Sequence, residues 1–189
     1  TYPAGRIRIP NDSKSRAGGV LYSDYSLGRF FAEAARQPWF ENTIFLVTAD
    51  HCASSAGRTE IPLQKYHIPA LILAPGLIEP GVVDGIVSQI DLMPTLLSLL
   101  NMSYDSHFYG RSIYDEGYVN RAFIATYQDL GYLEGDVFTI LSPVRRFEQY
   151  RVVPTEDNPH NLEPMETENP EQVSRAIGYY QTSSAWNKR

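Results

Sequence analysis

The 189-residue chain contains a single cysteine, Cys52, so no internal disulfide can form and cysteine usage leaves the redox compartment open. Apolar runs long enough to span a bilayer, roughly 20 residues, are absent. The longest candidate, Ile68 to Ile78, is interrupted by Pro69, Pro75 and Gly76. The opening Thr-Tyr-Pro-Ala-Gly-Arg lacks the charged region and apolar stretch of a signal peptide. No initiator Met is present, which leads to the expectation that the chain begins inside a longer polypeptide. Basic residues are few: 16 Lys and Arg against 22 Asp and Glu leave a net charge of −6. Phosphate backbones attract clustered cations, so nucleic acid is excluded as the main partner. What is present, 43 % hydrophobic and 20 % charged residues with 13 Gly and 13 Pro, is a globular composition rich in turns, and it rules out disorder, collagen and coiled coil. The length suits one domain with a real core or a large piece of a bigger one. Thirteen Tyr against 2 Trp imply a core or cleft wall of rings whose polar tips need partners.

Residues 1–19, rich in Pro, Gly, Arg and Ser, read as an irregular entry segment. From Leu21, the residues Tyr22, Tyr25, Leu27, Phe30, Phe31 and Ala34 recur at helical spacing as far as the break at Pro38. Thr43 to Ala49 and Ile68 to Ala74 are apolar runs of strand length, the pattern of strands buried on both faces in a parallel sheet. The Ser- and Gly-rich loop between them, Asp50 to Tyr66, is longer than most connections and so a place for function. A short strand is predicted over Val82 to Val87. Ser88-Gln-Ile-Asp91 then has the form of a capping box opening a helix through Leu100, with Pro94 tolerated in its first turns. Residues 121–127, 137–141 and 147–153 read as three strands of an antiparallel set, residues 154–171 as an acidic exposed linker, and Asn169-Pro170-Glu171 as the start of a final helix with Val173, Ile177 and Tyr180 on one face.

Ligands of open α/β sheets bind beyond the carboxyl ends of the strands, and the first polar residues after the run 43–49 are Asp50 and His51. A carboxylate beside an imidazole suits manganese, zinc or an ion that replaces magnesium. Two ligands fall short of the usual three, and no other cluster in the chain supplies the rest. An Asp capping a loop entrance beside a hydrogen-bonded His is the other reading of the same pair.

Four blocks occur in order: Tyr22-Ser-Asp-Tyr-Ser-Leu-Gly-Arg-Phe-Phe31, Trp39-Phe-Glu-Asn-Thr-Ile-Phe-Leu-Val-Thr-Ala-Asp-His51, Tyr66-His-Ile-Pro-Ala-Leu-Ile-Leu-Ala-Pro-Gly76 and Ser88-Gln-Ile-Asp-Leu-Met-Pro-Thr-Leu-Leu97. Together they resemble the sulfatase-type branch of the alkaline phosphatase superfamily, and more narrowly the lipoteichoic-acid-synthase-like phosphoglycerol transferases. The resemblance covers about residues 1–115. It implies the C-terminal half of such an α/β domain, with mostly parallel core strands flanked by helices and a small antiparallel sheet. The division that follows is 1–115 for the core, 116–153 for the sub-sheet and 154–189 for the linker and last helix.

In that family the Asp-His pair binds a divalent metal, commonly manganese, with magnesium, zinc or calcium as alternatives; the resemblance places this role on Asp50 and His51. The remaining ligands, a Glu and the nucleophilic Thr, belong to the family's N-terminal half, so this chain alone is expected to be inactive. The implied reaction has the activated Thr hydroxyl attack a phosphodiester such as phosphatidylglycerol, diacylglycerol leave, and a covalent phosphoglycerol group pass to an acceptor hydroxyl. Sulfate or other phosphate esters, phosphoethanolamine transfer and a non-catalytic sulfatase-like module stand as alternatives.

Arg58 precedes Pro69 at about the interval at which the sulfatases' substrate-contacting Lys precedes a Val-Pro element, so it is either a bidentate phosphate ligand or a solvated loop residue. Cys52 stands where many relatives carry Gly and reads as a small buried hydrophobe. His67, flanking the next strand, reads as a hydrogen-bonded core residue or one that supports a ligand, rather than a ligand itself, whereas His107 and His160 lie in polar loops. The complete protein is expected in a bacterial cytoplasmic membrane, with its catalytic domain periplasmic or extracellular. The fragment without its N-terminal half is expected to be soluble and to self-associate through a sheet edge and an apolar face.

Overall fold

Ser15 starts the first helix: its hydroxyl accepts from the Gly18 amide at 3.0 Å, meeting one of the orphan donors of the first turn. The computed structural model describes residues 15–52 and 61–186, and in it α1 runs Arg16–Ala34. The helix therefore begins inside the segment expected to be irregular. Gly18 and Gly19 lower helix propensity there, and the Ser15 cap offsets that cost.

The described residues form two compact units. The first extends to Phe45 and includes Ile72–Pro80. Within it Phe45 is ringed by Phe30, Phe31, Trp39 and Phe40, with centroids 6.0, 5.3, 6.2 and 5.4 Å away. This cluster holds the turn that follows α1 and explains the aromatic richness of that stretch.

The second unit holds Leu46–Leu71 and everything from Gly81 onward. Strands β1 (Phe45–Thr48) and β2 (Ala70–Leu73) pair as a two-stranded sheet, with the short helix α2 (Leu63–Tyr66) ahead of β2. Both strands are half-buried or exposed within this chain, where burial on both faces was expected. A 3-10 turn at Gln89–Asp91 leads into α3 (Leu92–Leu99), and the capping box is present: the Ser88 amide donates to Asp91 Oδ2 at 3.2 Å. Pro94 is fully buried in the first turn of α3. No strand forms over 82–87. Val82 and Val83 are exposed, and Gly85 at φ +151° ends the extended run.

Five strands form an antiparallel meander in chain order: β3 (Arg121–Ala125), β4 (Leu130–Glu134), β5 (Val137–Ser142), β6 (Arg146–Val152) and β7 (Leu162–Pro164). The fold is thus α/β, and its antiparallel sheet has two strands more than the three expected. β4 escaped prediction because it carries Gly131. A Cβ there would lie 2.8 Å from the Phe138 ring, so glycine is required to let that ring fold across the strand. β7 lies in the stretch read as an exposed linker and is an edge strand ending on a proline, the position where proline is tolerated.

Ile61, Leu63, Ile124, Leu133 and Phe138 form the buried cluster between this sheet and the start of α2. Helix α4 (Pro170–Trp186) packs on β4 and β5. Buried Gln172 donates to Val137 O at 2.7 Å, and the Tyr180 hydroxyl lies 2.6 Å from Gly131 O and 3.0 Å from Ile124 O. Burial pushes the Tyr180 phenol up to about 12, so it stays a neutral donor throughout the physiological range.

Candidate functional site

β1 ends in a turn that is tied at three places. The Ala49 amide and the Thr48 hydroxyl both donate to Pro69 O, at 3.4 and 3.1 Å, which fixes the strand end to the approach of β2. Gln89 then donates its side-chain amide to Ala49 O at 3.0 Å and Asp50 O at 3.2 Å. Asp50 Oδ1 accepts from the His51 amide at 3.0 Å, so the carboxylate is oriented by the residue that follows it.

His51 Nδ1 lies 2.8 Å from Cys52 O. A carbonyl only accepts, so Nδ1 carries the proton of this contact and the neutral ring keeps its lone pair on Nε2. That nitrogen is 3.5 Å from Asp50 Oδ2. The two side chains are 75 % and 87 % exposed, so both face outward beside each other with no described residue between them and solvent. One carboxylate oxygen and the imidazole nitrogen that the carbonyl contact leaves free, at this separation, fit a shared divalent cation, and the Nδ1–carbonyl contact is the usual second bond of a ligating histidine. Among the described residues no group of three or more His, Cys, Asp or Glu could hold a metal, so the pair by itself falls short of the usual three ligands. Cys52 is buried next to it, as expected of a small hydrophobe. Arg58 lies outside the described residues.

The base on which Gln89 stands is a buried ionic cage. Asp91, fully buried, receives Arg121 at 3.3 and 3.2 Å, the Tyr118 hydroxyl at 2.8 Å, the Arg111 amide at 2.8 Å and the Ser88 amide. Burial and the Asp91 carboxylate hold the Tyr118 phenol well above its usual range, so it remains a donor. The Arg121 guanidinium lies 5.5 to 5.8 Å from the ring centres of Tyr118, Phe123 and Tyr179, which replace part of its lost hydration. Gly110 approaches the same turn closely: a Cβ there would sit 1.9 Å from Ile90 O, so only glycine fits.

Beside Gln89, an open cleft of about 430 Å³ is lined by Ile90, Met93, Phe108 and Trp186, with the His107 ring 5.0 Å from that of Trp186. Sequence reasoning placed neither this cleft nor the Gln89 contact; the second was hidden because a glutamine inside a capping box carries no signal of what lies across the fold from it.

His67 is exposed, not in the core, and its hydrogen-bond partner is another histidine: Nδ1 is 3.2 Å from His160 Nε2, with the rings edge to face. The two are joined to each other and not to Asp50 or His51 by any described bond. Burial, and then the neighbouring His67, lower the His160 pKa. The unfolded chain, with an ordinary histidine near 6.5, therefore binds the proton first. The stability that His160 contributes is present above about pH 6.5 and is lost as pH falls through its lower folded value. Urea midpoints should drop between about pH 7.5 and about pH 5.5, and His160→Gln should flatten that drop. An unchanged slope in the variant would refute the assignment to His160.

Residues 7–102 match the sequence profile of the Sulfatase family. An arylsulfatase of Clostridium perfringens is 30% identical over 107 residues, which are 52% of this chain and 22% of that enzyme. A crystal structure of a protein in the alkaline phosphatase superfamily from Vibrio parahaemolyticus superimposes with a TM-score of 0.87 at 30% identity, covering 100% of this chain and 46% of that one. The chain thus spans less than half the length of either relative.

Proposed function

The chain belongs to the sulfatase family, and we propose from that premise that it is the metal-binding part of a larger enzyme that cleaves or transfers a phosphate or sulfate ester, with Asp50 and His51 as two of the ligands. The observation that carries this is the shared outward face of Asp50 Oδ2 and His51 Nε2 at the end of β1, with the second imidazole nitrogen already engaged. A divalent ion bound there would supply neutralisation of charge on the nucleophile and on the ester's non-bridging oxygens. The chain's own residues act on geometry: Asp50 presents an oxygen fixed by the His51 amide, His51 presents Nε2 with its ring held through Nδ1 by Cys52 O, and Pro69 holds the strand end beneath them.

The remaining ligands, the Thr nucleophile and the other face of the cleft are assigned to an upstream segment, and Arg58 to a substrate oxygen. The four sequence blocks support phosphoglycerol transfer from a phospholipid such as phosphatidylglycerol, with the catalytic domain outside a bacterial membrane and manganese as the metal. No helix of the described residues is long and apolar enough to cross a membrane. The match to an arylsulfatase supports sulfate-ester hydrolysis equally.

The discriminating experiment supplies the complete protein with phosphatidylglycerol and, separately, an aryl sulfate. Manganese-dependent release of diacylglycerol is the expected result. Sulfate release without diacylglycerol would replace the transferase by a sulfatase, and neither product from a metal-loaded, folded protein would make it a non-catalytic relative.

A further inference from the structure

We infer that Gln89 is a positioning residue, whose side-chain amide holds the Asp50–His51 turn in the arrangement that lets both side chains reach one divalent cation. This rests on the metal-site function proposed above.

Successive carbonyls of an extended strand point to opposite edges. Ala49 O and Asp50 O nevertheless converge on one nitrogen, Gln89 Nε2, at 3.0 and 3.2 Å. The amide uses both of its hydrogens on that pair and so marks, and fixes, the point at which strand geometry is released. Without this donor the Ala49 and Asp50 peptides could rotate back toward the extended form, carrying the Asp50 carboxylate away from His51 Nε2.

The donor itself is held firmly. Gln89 is the first residue of the 3-10 turn between buried Ser88 and fully buried Asp91, and Asp91 is locked by Arg121, Tyr118 and the Arg111 amide. A chain of bonds therefore runs from the buried cage, through one exposed side chain, to the backbone of Asp50 and of Ala49 before it. Gln89 itself is exposed, so its two bonds compete with water and add little to the stability of the fold. Their effect falls on the local geometry of the turn, as with other groups that orient metal ligands without touching the metal.

The test uses the complete, metal-stripped protein titrated calorimetrically with Mn²⁺ as wild type, Gln89→Ala, Gln89→Glu and Asp50→Ala. Gln89→Ala should bind about tenfold more weakly, with its urea midpoint unchanged and turnover recovered at saturating Mn²⁺. Gln89→Glu keeps the shape but offers no donors to the two carbonyls, so it should bind at least as weakly. Wild-type affinity in both Gln89 variants while Asp50→Ala loses the metal would overturn the role of Gln89 and leave the metal site standing. Wild-type affinity in Asp50→Ala would instead remove the metal site itself. Global unfolding of both Gln89 variants would make the residue structural and overturn the inference.

Discussion

Asp50→Ala in the complete protein is expected to reduce turnover by about a thousandfold or more with the fold intact, and His51→Ala to do the same. A catalytic divalent ion contributes several kcal/mol of charge stabilisation, and each 1.36 kcal/mol is about a factor of ten in rate. Against that, the Asp50 carboxylate is 87 % exposed and its described contacts are to His51 alone, so its removal should change stability by no more than about 0.5 kcal/mol. Metal content, turnover and circular dichroism of the same preparation separate the two effects. Activity within tenfold of wild type at normal metal content would contradict the assignment.

Asp91→Ala should give the largest loss of stability, about 3–5 kcal/mol, the usual consequence of breaking a buried pair by deleting one partner. The variant strands the Arg121 guanidinium at 2 % exposure and leaves the Ser88 and Arg111 amides without their acceptor. Arg121→Met should cost less, because Asp91 keeps the Tyr118 hydroxyl and two backbone amides, and because Arg121 Nε already has no partner. The double variant Asp91→Asn with Arg121→Met should recover part of the loss, since an amide without its cation is cheaper to bury than either ion alone. Urea midpoints at constant slope measure all three. A loss below about 1 kcal/mol for Asp91→Ala would mean that water reaches the cage.

Elements whose signals are local were legible in the sequence. The run Thr43 to Ala49 that holds β1, the capping box at Ser88 and the proline that opens α4 all announce themselves within a few residues. The candidate pair Asp50 and His51 stands out the same way, as the first polar residues after an apolar strand. What was missed depends on distant partners. β4 looks like a poor strand because of Gly131, and only the ring of Phe138 explains that glycine. Its one local signal was the two-residue Gly135-Asp136 connection to β5, a hairpin pattern with Gly135 at φ +60°. β7 hides in an acidic, Pro-containing stretch that becomes a strand because β6 offers it an edge. Val82 to Val87 erred in the opposite direction, having strand-like residues but no strand to pair with among the described residues. The Gln89 contact with Ala49, just past β1, crosses 40 positions of sequence and could not be seen from either end.

The meander has a kinetic consequence. Every strand from β3 to β7 pairs with its neighbour in the chain, so each closure spans a short loop and the sheet has little topological barrier to overcome. On a ribosome adding about 5–20 residues per second, these hairpins can zip one after another within seconds of emerging. β1 and β2 must instead wait for each other across the long intervening loop. The antiparallel sheet is therefore set to order on its own neighbouring contacts, and to serve as the surface on which Ile61 and Leu63 settle.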